Sequence, residues 1–198
     1  MLAVLGEVGV GGNNVDGLNG DEGKCRSVPV ISNSERRKLA DSLWTKGAAH
    51  AESAKELSKL AAMRAREKNS PDEEGAAFTG TYSPSIHLLI GYSFELLLKA
   101  AYTHHGGDRD SLRRDLRHDL SAVLTAATEA GFETRIDSLA WIVKHLRDPH
   151  RGNEFRYGQR EKVTMPSFSQ SLPALDALVR EVGRLVVPEW PINLADSV

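Results

Sequence analysis

Apolar residues recur at three- and four-residue intervals along several stretches of the chain, and strand-like alternation is absent. The first stretch opens near Ser32-Asn33-Ser34 and runs to about Glu67. Leu39, Leu43, Trp44, Ala48, Ala51, Ala54, Leu57, Leu60 and Ala61 form its stripe, with Arg36, Arg37, Lys38, Lys46, Lys55 and Lys59 largely off it. Its many alanines predict close helix–helix approach, and Gly47 marks a candidate bend. Asn69-Ser70-Pro71 through Gly75 breaks the pattern, so a surface loop is expected up to Ser83. A helix over Pro84 to His104 follows, with Ser83 as its expected cap and a stripe wide enough for burial on most sides. Gly106-Gly107 ends it.

Asp108 to Arg117 reads as a connection. Asp119 to Ala130 reads as a third helix, with Leu120, Val123, Leu124 and Ala127 on one face. A fourth is expected from Glu133 or Thr134 to Pro149, with Ile136, Leu139, Ala140, Val143 and Leu146 inward and Trp141 and Ile142 widening the face. Arg151 to Ser167 is irregular and partly basic, and a last helix is expected from about Leu172 to Val187, with Pro173 in its first turn. These elements predict an all-α, antiparallel bundle of four to five helices over residues 33–187. Residues 1–32, interrupted by glycines and turn formers, are expected to be a disordered tail or an over-extended reading-frame start. Residues 188–198 are expected to be a short C-terminal tail.

Composition narrows the chemistry. A chain of 198 residues with net charge −2 is long enough for one cored domain and is no general nucleic-acid coat, so anion binding has to come from a local patch. Cys25, the lone cysteine, excludes an internal disulfide framework and a cysteine-rich zinc site, and agrees with a cytoplasmic location. No apolar run approaches a membrane span, and MLAVLGEVGVGG has no basic leader region. Gly11-Gly12 lacks the following Gly-Lys-Ser/Thr of a phosphate loop.

The stretch from Ile86 to Gly131 carries the chemistry. Glu95 lies four residues before Lys99, the favourable order for a helical ion pair, and reads as a solvated salt bridge. Arg109, Arg113, Arg114 and Arg117 crowd one connection; Lys144, His145, Arg147, His150, Arg151, Arg156, Arg160 and Lys162 surround another, with acidic residues interleaved. Brought to one end of a bundle, these two regions would make a phosphate-binding rim, with Phe155 and Tyr157 available for base stacking. His118-Asp119 has two readings. Asp119 and His118 cap the third helix, or His118 serves as a general base beside an arginine. A third pattern, His87 with His118-Asp119 and a later Asp137 or Asp176, superficially resembles the H…HD…D set of metal-dependent phosphohydrolases. There, however, the His-Asp pair lies within or at the end of an apolar helix, whereas here basic residues precede it.

Ser93-Phe94-Glu95-Leu96-Leu97-Leu98-Lys99-Ala100, then His118-Asp119-Leu120 with Leu124 beyond, then Arg156-Tyr157, resemble the landmarks of the HEPN (higher eukaryotes and prokaryotes nucleotide-binding) domain family, over roughly residues 35–187. The resemblance implies a helical bundle, often homodimeric, that binds nucleotide, RNA or a partner protein in a defence or toxin–antitoxin system, some members beside a nucleotidyltransferase. Active members are metal-independent ribonucleases with an Arg and a His four to six residues apart. Arg113 and His118 meet that spacing and are the candidate catalytic pair. The ribonuclease motif normally lies on a later helix, so the expectation is a binding module with weak or no catalysis and no cofactor or metal. Arg117, Asp119, Arg156 and Tyr157 are the candidate ligand-binding residues, and Glu95 and Lys99 the structural landmarks.

Overall fold

A computed structural model describes residues 32–152 and 164–187. Among these the chain is all-helical, with no strand: α1 (Asn33–Glu67), α2 (Glu73–Thr79), α3 (Ser83–His104), α4 (Arg109–Ser111), a π-helical turn (Leu112–Leu116), α5 (Leu120–Glu129), α6 (Leu139–Arg151) and α7 (Phe168–Val186). No helix among the described residues is long and apolar enough to cross a membrane.

Helix α3 lies at the centre, in contact with α1, α2, α5, α6 and α7. Ile86, Ile90, Phe94, Leu97 and Leu98 are fully enclosed along it, as the wide apolar stripe predicts. Val123 of α5, Ile142 and Leu146 of α6, and Leu178 and Val182 of α7 close around them. Trp44 of α1 donates its indole N–H to the Val179 carbonyl of α7 at 3.0 Å, tying the two outer helices together.

α1 offers mainly small residues: Ala40, Gly47, Ala51, Ala54 and Ala61 are all buried. Gly47 makes no break in the helix. A Cβ there would stand 2.9 Å from Leu97 Cγ, and the Gly47 carbonyl accepts the Ser93 hydroxyl at 2.6 Å. The glycine is there for the approach of α3 rather than for a bend.

Several element boundaries differ from the periodicity reading, each for a local reason. The expected loop before Ser83 contains α2, because Asp72 caps it through Gly75 N at 2.8 Å and Glu73 pairs with Arg66 of α1 at 2.8 Å. Ser83 belongs to α3 rather than capping it; Tyr82 is the N-cap, and the Ser83 hydroxyl meets His87 Nδ1 at 3.2 Å. The expected connection from Asp108 contains α4 and the π turn, pinned by the buried Leu112 and Leu116.

α6 starts at Leu139 because Glu181 of α7 captures the preceding segment, accepting from Thr134 Oγ1 at 2.7 Å and Arg135 N at 3.0 Å. Pro149 sits inside α6, which runs on to Arg151. Trp141 is exposed and lies against His145 with ring centroids 4.3 Å apart, so it does not widen the inward face. α7 begins four residues early, at Phe168, because Ser167 and Gln170 form a reciprocal capping box. Pro173 therefore falls in its second turn.

Gly47→Ala tests the close α1–α3 contact. Helix propensity alone would raise stability by up to ~1 kcal/mol. The crowding against Leu97 is expected to win, lowering unfolding free energy by about 1–3 kcal/mol in urea titration. An unchanged or higher midpoint would contradict that packing.

Candidate functional site

Glu95 and Lys99 stand one turn apart on α3, yet the pair is not the solvated salt bridge its spacing suggests. Their side chains are only 5% and 11% exposed. Lys99 Nζ donates to Glu95 Oε1 at 2.6 Å and also to the Arg117 carbonyl. A carboxylate taken out of water needs such donors, and Glu95 has three sources of them.

The second source comes from the turn before α5. Arg117 has φ 35°, a left-handed backbone that costs a non-glycine residue about 1–3 kcal/mol. Lys99 holds its carbonyl, and Asp119 caps α5 immediately afterwards, Oδ1 accepting from Ser121 N and Ala122 N at 3.1 Å each. Between these anchors His118 is laid over Glu95, with Nδ1 3.0 Å from Oε2 and 3.2 Å from Oε1. Asp119 thus performs the capping, while His118 faces the carboxylate and keeps its side chain 64% exposed.

The third source is His150 in the last turn of α6. Its Nε2 lies 2.6 Å from Glu95 Oε2, and its side chain is 1% exposed. Gly91, one turn before Glu95 on α3, makes this possible: a Cβ there would come within 2.5 Å of His150 Nδ1. The Tyr92 ring meets the imidazole edge-on at 5.2 Å.

Burial pushes the Glu95 carboxyl up, but the hydrogen bonds from His150 and Lys99, the Lys99 charge, and the His118 hydrogen bond outweigh it and hold the group at about 2. An ionised carboxylate only accepts, so both imidazoles donate to it. A neutral His118 then has its proton on Nδ1 and offers Nε2 as the acceptor of an exposed ring. His150 carries its own on Nε2.

Around this cluster lies a rim of cations. Arg151 donates to Asp119 Oδ2 at 3.1 Å, and Arg147 Nε lies 3.8 Å from the same oxygen and 3.2 Å from Asp148. The position of Arg151 in the last turn of α6 agrees with the helix dipole. One end of the fold therefore joins Glu95, Lys99, Arg117, His118 and Asp119 of the sequence-predicted residues with His150, Arg147 and Arg151.

Arg113 is exposed on the π turn, and its side chain has no hydrogen bond or ion pair among the described residues, while its neighbour Arg114 lies 3.7 Å from Asp110. Arg156 and Tyr157, with Phe155, Arg160 and Lys162, lie outside the described residues. The H…HD…D set does not converge: His87 packs against Phe78 and Phe168 at 5.0 and 4.9 Å, Asp176 pairs with Lys55 at 2.9 Å, and Asp137 is exposed. His150 is the member that sequence reasoning missed as a site residue. Its signal was its place on the inward spacing of Val143 and Leu146.

The ionised Glu95 makes acid stability predictable. Its folded value lies below the ordinary 4.5, so its contribution is fully present above about pH 4.5 and is lost as pH falls toward about 2. Glu95→Gln leaves Lys99 without its buried counter-charge and is expected to cost about 3–5 kcal/mol near neutral pH. In urea titrations across pH, the gap between wild type and variant narrows as pH drops through that window. A gap independent of pH would contradict an ionised buried Glu95.

Compared with protein-family models, with curated proteins and with solved structures, the chain gives no match.

Proposed function

We propose that this protein is a HEPN-like module that binds the phosphate groups of RNA or a nucleotide at the α5–α6 end, as part of a defence or toxin–antitoxin system, with weak or no catalysis. One observation carries the reading: next to an exposed imidazole that a buried carboxylate holds from behind, Asp119 accepts a hydrogen bond from the Arg151 guanidinium and has Arg147 Nε 3.8 Å from the same oxygen. Guanidinium suits phosphate because its planar fork donates parallel hydrogen bonds. Asp119 holds Arg151 in place and so lowers the ordering cost of binding. A homodimer, or a nucleotidyltransferase-type partner, belongs to the same proposal through the HEPN resemblance.

A second reading, a metal-independent ribonuclease, is favoured by the Glu95–His118 hydrogen bond. A carboxylate that fixes the histidine tautomer from behind is the arrangement of a general base. His118 Nε2 would take the ribose 2′-hydroxyl proton, the 2′-oxygen would attack phosphorus as the bond to the 5′-oxygen breaks, and that proton would pass from the imidazolium through solvent to the leaving 5′-oxygen, giving a 2′,3′-cyclic phosphate. Arg113, matched by motif spacing, is the candidate cation for the charged phosphorane.

Titration of the full chain with short single-stranded RNA and with ATP in low salt tests both readings. Saturable binding is expected, and Arg151→Ala should weaken it and reduce the salt slope of log K by about one. Absence of saturable binding by the folded chain would overturn the phosphate reading in favour of a purely structural or dimerisation module. Cleavage without added metal that His118→Ala abolishes would establish the ribonuclease; cleavage that survives the change would remove His118 from it.

A further inference from the structure

We propose that Glu95, His118 and His150 form a binding site for a divalent metal ion of the imidazole-preferring class, with Zn2+ as its natural occupant. The claim stands on the geometry of these three side chains and holds whether or not RNA binds.

Each residue presents one ligand atom, and the three atoms lie within 4.8 Å of one another. Zinc takes nitrogen and oxygen ligands at about 2.0–2.2 Å, which puts neighbouring ligand atoms about 3.4 Å apart in a tetrahedral shell. Glu95 Oε2 lies 2.6 Å from His150 Nε2 and 3.0 Å from His118 Nδ1. Opening these two contacts by less than an ångström, and bringing the two imidazole nitrogens, which lie within 4.8 Å, to the same spacing, makes room for the ion. His118, exposed and carried on a turn, is the ligand able to move.

The two carboxylate oxygens are already divided between tasks. Oε1 accepts from Lys99, while Oε2 is shared by the two imidazoles. A metal on Oε2 would inherit a carboxylate whose other oxygen is held by a donor, the usual outer-shell support of a ligating group. Of the nearby cations, Arg147 and Arg151 face Asp119, while Lys99 shares the Glu95 carboxylate with the ion and so limits the affinity. Two imidazoles and one carboxylate suit Zn2+, Co2+ or Ni2+. Mg2+ and Ca2+ prefer all-oxygen shells and are not expected. The exposed side of His118 leaves the fourth position open to water.

Protons balance without an outside reactant. In neutral rings the proton on His118 Nδ1 moves to Nε2 and that on His150 Nε2 moves to Nδ1, and the ion takes the two lone pairs so released. His150 Nδ1 is buried without a hydrogen-bond partner, so placing the proton there carries a cost that keeps affinity below that of closed structural zinc sites. Loading also turns His118 Nε2 from acceptor to donor. A metal-loaded chain therefore cannot use His118 as a base, and the ion acts as an inhibitor of any such chemistry.

The test uses the full chain after chelator treatment, titrated with ZnCl2 by calorimetry and with CoCl2 by visible absorption. One equivalent per chain is expected, with a cobalt d–d band, and MgCl2 gives no heat of binding. His118→Ala, a change at an exposed ring, should weaken both metals by at least about tenfold while the helical circular dichroism stays that of the wild type. His104→Ala, at an exposed ring away from the cluster, should leave binding unchanged. No saturable Zn2+ binding, or binding that His118→Ala leaves intact, or binding lost in His104→Ala, would overturn the proposal. RNA enters none of these readouts, so their failure is separate from failure of the phosphate reading.

Discussion

A carboxylate buried in a helical core has to be neutralised or supplied with donors, and Glu95 is supplied. One oxygen accepts from Lys99 and the other from His150, with His118 bridging both. The donors come from three separate parts of the chain: the same helix, the turn before α5, and the end of α6. Removing Lys99 or His150, the two enclosed donors, leaves the carboxylate short of a partner where water does not reach. This single side chain therefore couples the packing of α3 against α6 to the conformation of a surface turn.

The features around it follow from that demand. Gly91 has no side chain because His150 needs its space to reach Oε2. Arg117 takes a backbone that few residues adopt because its carbonyl is fixed by Lys99. Asp119 caps α5 with one oxygen and anchors Arg151 with the other, so the helix start and the cationic rim share one residue. The exposed His118 is thus the surface end of a network whose root is buried. Strain of this kind persists where the surroundings over-determine it, and it collects at functional sites.

The helices themselves were legible from periodicity, because burying a stripe leaves a repeat of three and four residues. Their ends were less so. The start of α7 is set by a Ser167–Gln170 box that is written locally in the sequence, whereas the start of α6 depends on Glu181, 46 residues downstream from Arg135, which no local pattern announces. In the site, the landmarks Glu95, Lys99, His118 and Asp119 could be picked out. Their meaning could not, since an i,i+4 ion pair reads alike whether solvated or enclosed. His150 looked like one more member of a basic stretch, and only its phase with Val143 and Leu146 pointed inward. The spacing that singled out Arg113 is a separation along the chain, and it says nothing of Arg151, which is hydrogen-bonded to the residue that follows His118.

The account rests on Glu95 being charged where it is enclosed. Carbon-13 NMR of the labelled side-chain carboxyl, followed from pH 7 downward, reads this directly. The account predicts a carboxylate signal that persists well below pH 4.5, with titration near the value of about 2 that its three donors impose. A signal that titrates at or above 4.5 would mean that burial outweighs the donors, and the network around His118 would lose its root.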